Sequence, residues 1–317
     1  MCDRALRLNR GPLVDSLAYH MLELDCVMQE AAEFDIVHFH LDYYPFSLIR
    51  HFQIPAITTL HGRLDIPDLQ PIFSHFRDMN LISISDSQRR PMPWAGWLAT
   101  VHHGLPADLH SIGSGDGGYL AFLGRISPEK RVDRAIEISK RVGIPLRIAA
   151  KIDADDKEYY EEQIRPLLQG ANVEFVGEIG EMDKQEFLGK ARALLFPIDW
   201  PEPFGLVMIK AMACGTPVIA YRSGSVPEVV EDGVTGFIVE NEEQAVRAVG
   251  DLGRLDRRQI RARFEERFSA DRMARAYESA YRGLISAAVG HSAAAFAALN
   301  AEHRRELRPA DELPAPS

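Results

Sequence analysis

Short apolar runs, punctuated by Gly and Pro and alternating with amphipathic stretches, constrain this 317-residue chain more than any other feature. That alternation is the pattern of βα units around a parallel sheet. In the first third, strands are expected at Ile36–Phe39, Ala56–Leu60, Leu81–Ser85 and Thr100–His102, with helices over Leu13–Ala32 and Pro67–Phe76. The segment Gly113-Ser114-Gly115-Asp116-Gly117-Gly118 reads as a flexible linker. Beyond it, strands are expected at Tyr119–Leu123, Leu146–Ala150, Val173–Val176, Ala193–Phe196, Pro217–Ala220 and Phe237–Val239. Six such strands with interleaved helices describe a complete doubly wound domain. An amphipathic helix follows over Asp271–Ile285, then an Ala-rich and Pro/Glu-rich tail. The expected division is an incomplete first domain (1–112), a second domain (113–270), a helix (271–287) and a flexible tail (288–317).

Composition narrows the function classes. Apolar residues make up 46% and charged residues 26%, enough for a sizeable core, which excludes disorder as the whole answer. Lys and Arg number 36 against 46 Asp and Glu, and the net charge of −10 argues against nucleic acid or an anionic membrane as main partner. Cys2, Cys26 and Cys214 are odd in number and lack CxxC spacing. They suggest neither a disulfide framework nor a zinc site, and fit a reducing compartment. The start shows no apolar leader and no window approaches ~18 uninterrupted apolar residues, so no stable membrane insertion is expected. The chain reads as a soluble cytoplasmic enzyme.

Two segments carry chemistry. In Tyr119-Leu-Ala-Phe-Leu-Gly124-Arg125-Ile-Ser127-Pro128-Glu129-Lys130 a strand ends at Gly124, and Ser127 with Pro128 opens a helix. Ligands bind at such junctions of a parallel sheet, where free N–H groups suit phosphate. Arg125 and Lys130 could neutralise a diphosphate there, or be two surface cations. The second segment, Phe196-Pro197-Ile-Asp199-Trp200-Pro201-Glu202-Pro203-Phe204-Gly205, is an aromatic and proline-rich loop leading into an apolar helix that stops at Gly215. Glu202 at the helix entrance could do no more than complement its dipole. Lys210 is the one charge among Phe204–Cys214 and either snorkels or turns toward a ligand cleft. Ser225 and Glu228 have the spacing of a capping box, and Asp232-Gly233 and Thr235-Gly236 read as turns.

Histidines gather near the expected strand ends: His38, His40, His61, His102 and His103. No carboxylate or cysteine completes a ligand set at usual spacing, so no metal is expected. His61 stands out because Gly62 opens the backbone beside it.

Together these residues resemble the retaining glycosyltransferases of family 4, which have the GT-B fold: α/β, with two Rossmann-like doubly wound domains facing across a cleft. The resemblance covers about Asp35 to Ile285 and is strongest over Tyr119–Val239. It implies transfer of a sugar from a nucleoside-diphosphate sugar to an acceptor hydroxyl with retention of configuration. The acceptor class, whether small molecule, glycan or lipid-linked, stays open, as does a homodimer. By the resemblance, Gly124, Arg125 and Lys130 grip the diphosphate, and Gly177, Glu178 and Ile179 frame the nucleobase. Glu202 and His61 approach the transferred sugar as catalytic residues, and the backbone of Phe204, Gly205, Leu206 and Val207 meets phosphate and sugar. With two cations on the leaving group, neither metal nor other cofactor is expected.

Two departures accompany the resemblance. The family pattern places a second glutamate, accepting from the ribose hydroxyls, where this chain has Lys210, a group with donors and no acceptor. The family's first strand and its glycine-rich turn are not found, which leaves the first domain roughly 40–60 residues short of a full half. These departures keep open a catalytically impaired relative acting as a binding module, and a nucleotide-sugar epimerase on the same fold.

Overall fold

The computed structural model describes residues 15–52, 54–169 and 172–306, with side chains as far as residue 288. Cys2, the start of the first expected helix at Leu13, and residues 307–317 of the expected tail lie outside the described residues. Contacts divide the chain into two compact units, residues up to Thr58 with those from Tyr277, and Thr59–Ala276.

In the first unit the helix Ser16–Glu30 precedes β1 (Val37–Phe39), which pairs in parallel with β2 (Ala56–Thr59), Val37 opposite Ala56. Asp15 caps that helix through the N–H of Leu17 at 3.0 Å. Leu24, Phe39 and Ala56 form its small core.

The second unit contains β3 (Leu81–Ser83) paired in parallel with β4 (Trp97–Thr100). The fourth strand therefore ends where it was expected to begin, and His102 and His103 lie in the loop beyond it. A six-stranded parallel sheet follows in the order β10-β9-β8-β5-β6-β7, from β5 (Leu120–Arg125), β6 (Leu146–Lys151), β7 (Val173–Gly177), β8 (Ala193–Phe196), β9 (Val218–Tyr221) and β10 (Gly236–Val239). Side chains alternate across its pleat, so each strand feeds two cores. Ala121, Ala149, Leu194 and Phe196 join one core, while Leu120, Phe122, Ile148, Leu195 and Ile219 join the other. Both faces are covered, which is why the strands read as continuous apolar runs.

The helix Leu206–Ala213 packs between β8 and the helix Arg257–Phe268, whose Ile260, Phe264 and Phe268 are fully buried. Each such side chain contributes about 1.5–3 kcal/mol. The expected helix over Asp271–Ile285 is part of a longer one, Ala270–Glu306. No helix of the described residues is long and apolar enough to cross a membrane.

The glycine-rich segment is not a free linker. Gly113 donates to the Cys214 carbonyl at 3.0 Å, Gly115 to Gly189 at 2.9 Å and Gly117 to Lys190 at 2.9 Å. Backbone hydrogen bonds to the domain edge supply the order that side chains cannot.

Candidate functional site

The chain runs β5, β6, β7 to one side of the sheet and then returns to β8, β9, β10 on the other, so β5 and β8 flank the switch point. They pair in parallel, Leu120 opposite Ala193, which brings their carboxyl ends to the same edge. A crevice at that edge is where open α/β sheets bind ligands. Here it is a cavity of about 510 Å³ whose lining includes His61, Gly124, Arg125, Lys130, Glu202, Phe204, Gly205, Leu206 and Val207. Nine residues expected from separate segments thus meet in one place.

Lys130 ends a short turn, Pro128–Lys130, after β5. Its ammonium pairs with the Glu202 carboxylate and stands 4.9 Å from the Trp200 ring centroid. Trp200 Nε1 donates to Glu202 Oε2 at 3.0 Å. The two charged side chains are only 15% and 13% exposed, so Glu202 is a held carboxylate and not merely a partner of the helix dipole. The loops are stitched further by Asp199 N–H donating to the Glu129 carbonyl at 2.9 Å, and by Arg131 bonding Asp199 at 2.8 Å and Asp133 at 2.7 Å. Arg131 has φ 53°, a left-handed conformation costing about 1 kcal/mol that those ion pairs offset. Ser127 makes no cap hydrogen bond, and the helix proper starts only at Val132, past the expected opening. Arg125 is half exposed and reaches Glu129 at 3.3 Å and Asp153 at 3.5 Å.

Gly205 precedes the helix Leu206–Ala213 with φ 77°. A Cβ there would lie 2.7 Å from Met208 Cε and 3.2 Å from Phe196 Cζ, so glycine is required by both conformation and space. Gly205 itself puts no side chain over the helix start, and Gly205, Leu206 and Val207 line the cavity.

The loop Ser223–Ser225 supports Glu202 from behind. Gly224, φ 54°, comes so close that a Cβ would sit 2.3 Å from both the nitrogen and oxygen of Glu202. Ser225 N–H donates to the Glu202 carbonyl at 3.0 Å, and Ser225 Oγ to the Phe204 carbonyl at 2.8 Å. The expected Ser225–Glu228 capping box is therefore not formed: the serine is taken by the site loop. Glu228 instead accepts from the N–H groups of Asp86 and Ser87, both at 2.7 Å, and lies 3.2 Å from His102 Nε2.

His61 stacks on His103, ring centroids 5.3 Å apart and planes within 6°. His103 in turn meets Phe204 edge-on at 5.0 Å. Arg63 and Trp200 line the cavity without having been singled out in the sequence, and so does His103, which the sequence offered only as one of five clustered histidines. The aromatic and proline-rich loop pointed to Trp200, whereas nothing local marks Arg63, whose guanidinium stands 5.8 Å over the Trp200 ring. His38 hydrogen-bonds the Tyr281 hydroxyl at 2.6 Å. Among the described residues no group of three or more His, Cys, Asp or Glu could hold a metal. Cys214 is buried, and burial pushes its thiol up to about 12, which makes it unreactive.

A second cavity, of about 350 Å³, is lined by Gly124, Arg125, Glu178, Ile179, Lys184, Val207 and Lys210 among others. Gly177 ends β7 just before this loop. Lys210 does not snorkel: its Nζ lies 2.6 and 2.7 Å from the two oxygens of Glu181. Burial pushes the Glu181 carboxyl up, but hydrogen bonds from Lys184 and Lys210 and their charges outweigh it, holding the pKa down at about 2. A carboxyl lowered from 4.5 adds stability that is present above pH ~4.5 and lost as pH falls toward 2. Glu181→Gln is expected to flatten acid unfolding in that window, as circular dichroism against pH will show.

Residues 111–267 match the family model described as glycosyl transferases group 1. The chain is 30% identical over 179 residues to a D-inositol 3-phosphate glycosyltransferase of Mycolicibacterium smegmatis, covering 46% of this chain and 37% of that protein. It is 32% identical over 138 residues to an alpha-maltose-1-phosphate synthase of the same organism, covering 41% and 35%. The match thus spans little more than a third of the length of these curated relatives. Among solved structures, Anabaena HepE in complex with UDP superposes with a TM-score of 0.72 at 20% identity, covering 85% and 84% of the two chains. The sucrose-phosphate synthase of Thermosynechococcus elongatus gives 0.70 at 20%, covering 88% and 83%. The fold is α/β and GT-B.

Proposed function

We propose that the protein is a retaining glycosyltransferase that uses a nucleoside-diphosphate sugar. One observation carries the reading: at the switch point of a parallel sheet, Arg125 and the Lys130–Glu202–Trp200 group face the same cavity as the bare helix start at Gly205. Cations beside the N–H groups of a helix start suit a diphosphate, and a held carboxylate suits sugar hydroxyls. The UDP complex of HepE, and a further HepE structure with UDP-glucose, support that ligand class.

In this mechanism Arg125 and Lys130 stabilise the negative charge that grows on the departing diphosphate. Glu202 and His61 orient the sugar. The bond from the anomeric carbon to the phosphate oxygen breaks as the acceptor oxygen bonds to the same face, and the acceptor proton passes to the leaving diphosphate. Because these two cations carry the charge, transfer is expected to persist in a chelator.

Calorimetric titration with UDP, GDP and ADP tests the reading. One of them should bind at micromolar strength and lose affinity in Arg125→Ala; no binding by folded protein would sink it. Transfer assays with the matching sugar donors, and the anomeric configuration of the product by NMR, then test turnover and retention. Gly224→Ala, which pushes on the Glu202 backbone, is expected to lower turnover ~10²-fold through misplacement alone. Nucleotide affinity, measured by the same titration, should change far less.

A further inference from the structure

His61 depends on its surroundings for its place. Leu60 N–H still donates to the Ile82 carbonyl at 3.0 Å, but His61 and Gly62 beyond it belong to no strand or helix. Gly62 brings no side chain to anchor the segment, and a Cβ there would meet no atom of the described residues within 4 Å. A ring that orients a sugar has to be held closely, because misplacement by ~1 Å costs roughly 10²-fold in rate. Under the proposed role of His61, on which this inference rests, another group supplies that order.

That group is Gln88, 5% exposed, on the turn Asp86–Arg89. Its Nε2 donates to the Leu60 carbonyl at 3.0 Å and to the Gly62 carbonyl at 2.8 Å. Its Oε1 accepts from the Ile84 N–H at 2.9 Å, and its own N–H donates to Ser85 Oγ at 3.0 Å. The two carbonyls flank His61, so one NH₂ group clamps the chain on both sides of the ring. A buried amide with both its donors and its oxygen engaged has one orientation, and it fixes what it holds.

Glu228 supplies a second support. Its two oxygens accept from the N–H groups of Asp86 and Ser87, both at 2.7 Å, on the turn that carries Gln88. Its Oε2 also lies 3.2 Å from Nε2 of His102, whose ring stands 5.8 Å from Phe204 and 5.9 Å from Phe268. The next residue, His103, stacks on His61. One carboxylate thus sets both the turn that clamps the His61 backbone and the loop whose ring lies against its imidazole. Neither Gln88 nor Glu228 lines either cavity of the site, so neither acts on a ligand directly.

We infer that Gln88 is a positioning residue for His61, its amide clamping the backbone on both sides of the imidazole, with Glu228 holding that clamp and the His103 loop in register.

Steady-state transfer kinetics and nucleotide titration of Gln88→Met, Glu228→Gln and His61→Ala, singly and combined, test the inference. Gln88→Met, similar in size but without donors, should lower kcat ~10²-fold through misplacement of the ring. Nucleotide affinity and the donor KM should move less than about twofold, since the donor contacts are untouched. In a His61→Ala background the same substitution should cost less than about twofold, because an effect carried by one residue vanishes with it. Glu228→Gln, which keeps one of the two acceptor oxygens, should lower kcat about tenfold and likewise add little to His61→Ala. A loss that persists in full in His61→Ala, or one matched by lost nucleotide affinity, overturns the inference, because the residues would then be supporting the fold at large. Undiminished turnover in folded Gln88→Met overturns it too; should that variant melt too low to assay, the Glu228→Gln cycle decides in its place. Wild-type turnover in His61→Ala removes His61 from the reaction and the inference with it, while nucleotide binding leaves the donor reading standing. If the wild type binds no nucleoside diphosphate, both fail.

Discussion

Replacing Lys130 by Ala is expected to lower the rate of sugar transfer ~10²–10³-fold, the usual cost of removing one preorganised group that faces developing charge. The ammonium is nearly buried between Glu202 and the Trp200 ring, where charge acts through a lower dielectric than at the surface. It also costs nothing to reorganise, since both loops that hold it are stitched by the Glu129–Asp199 and Arg131–Asp199 bonds. Arg125, half exposed and only loosely held by Glu129 and Asp153, should act chiefly on donor affinity. Lys130→Arg retains the charge but spreads it over a wider planar fork, so it should recover part of the rate and not all of it. Single-turnover rates with the donor found by titration will separate the effects. Undiminished turnover in Lys130→Ala would remove this side chain from the mechanism.

The strands of the six-stranded sheet were legible because each is a buried apolar run between turn residues, and a run of that kind carries its own signal. The ligand edge was legible for a related reason: Gly124 lies one residue before the end of β5, and Gly205 immediately precedes its helix. Pairings between distant segments were not. Lys130 and Glu202 were both visible beside loops, yet nothing in their spacing shows that one neutralises the other. Lys210 offered a departure without its answer, because Glu181 stands 29 positions away on another helix. Local rules misled where a tertiary partner competed better. Ser225 has capping spacing, but the Phe204 carbonyl takes its hydroxyl, and Glu228 finds two N–H groups at 2.7 Å far along the chain. The histidines divide likewise: His61 and His103 stack at the cavity, while His38 is engaged by Tyr281.

Arg257→Ala is expected to cost about 4 kcal/mol, because several buried acceptors lose their donor together. The guanidinium donates to the carbonyls of Gly113 at 3.0 Å, Ala191 at 3.1 Å, Gly189 at 2.9 Å and Cys214 at 3.2 Å, and to Thr216 Oγ1 at 2.7 Å. Among the described residues no carboxylate forms an ion pair with it; carbonyl dipoles surround its charge, and burial pulls its pKa down against the opposing charge of Asp116. The same side chain occupies the space beside Gly115 and Gly215, so it fills volume as well as making bonds. This node is what turns the glycine-rich segment from a flexible string into a strap across the edge of the domain. Loss of the node should lower the melting temperature by about 10 °C for a unit of this size. Arg257→Lys keeps a charge but has three donors from one point, too few and too close together for acceptors on three segments, so it should recover only a minor part. Thermal unfolding of the variants decides the matter, and protease susceptibility at 113–118 separates the strap from general destabilisation. A melting temperature unchanged in Arg257→Ala would mean that water or a neighbour satisfies those carbonyls, and that the strap is held by its own three backbone hydrogen bonds to Cys214, Gly189 and Lys190.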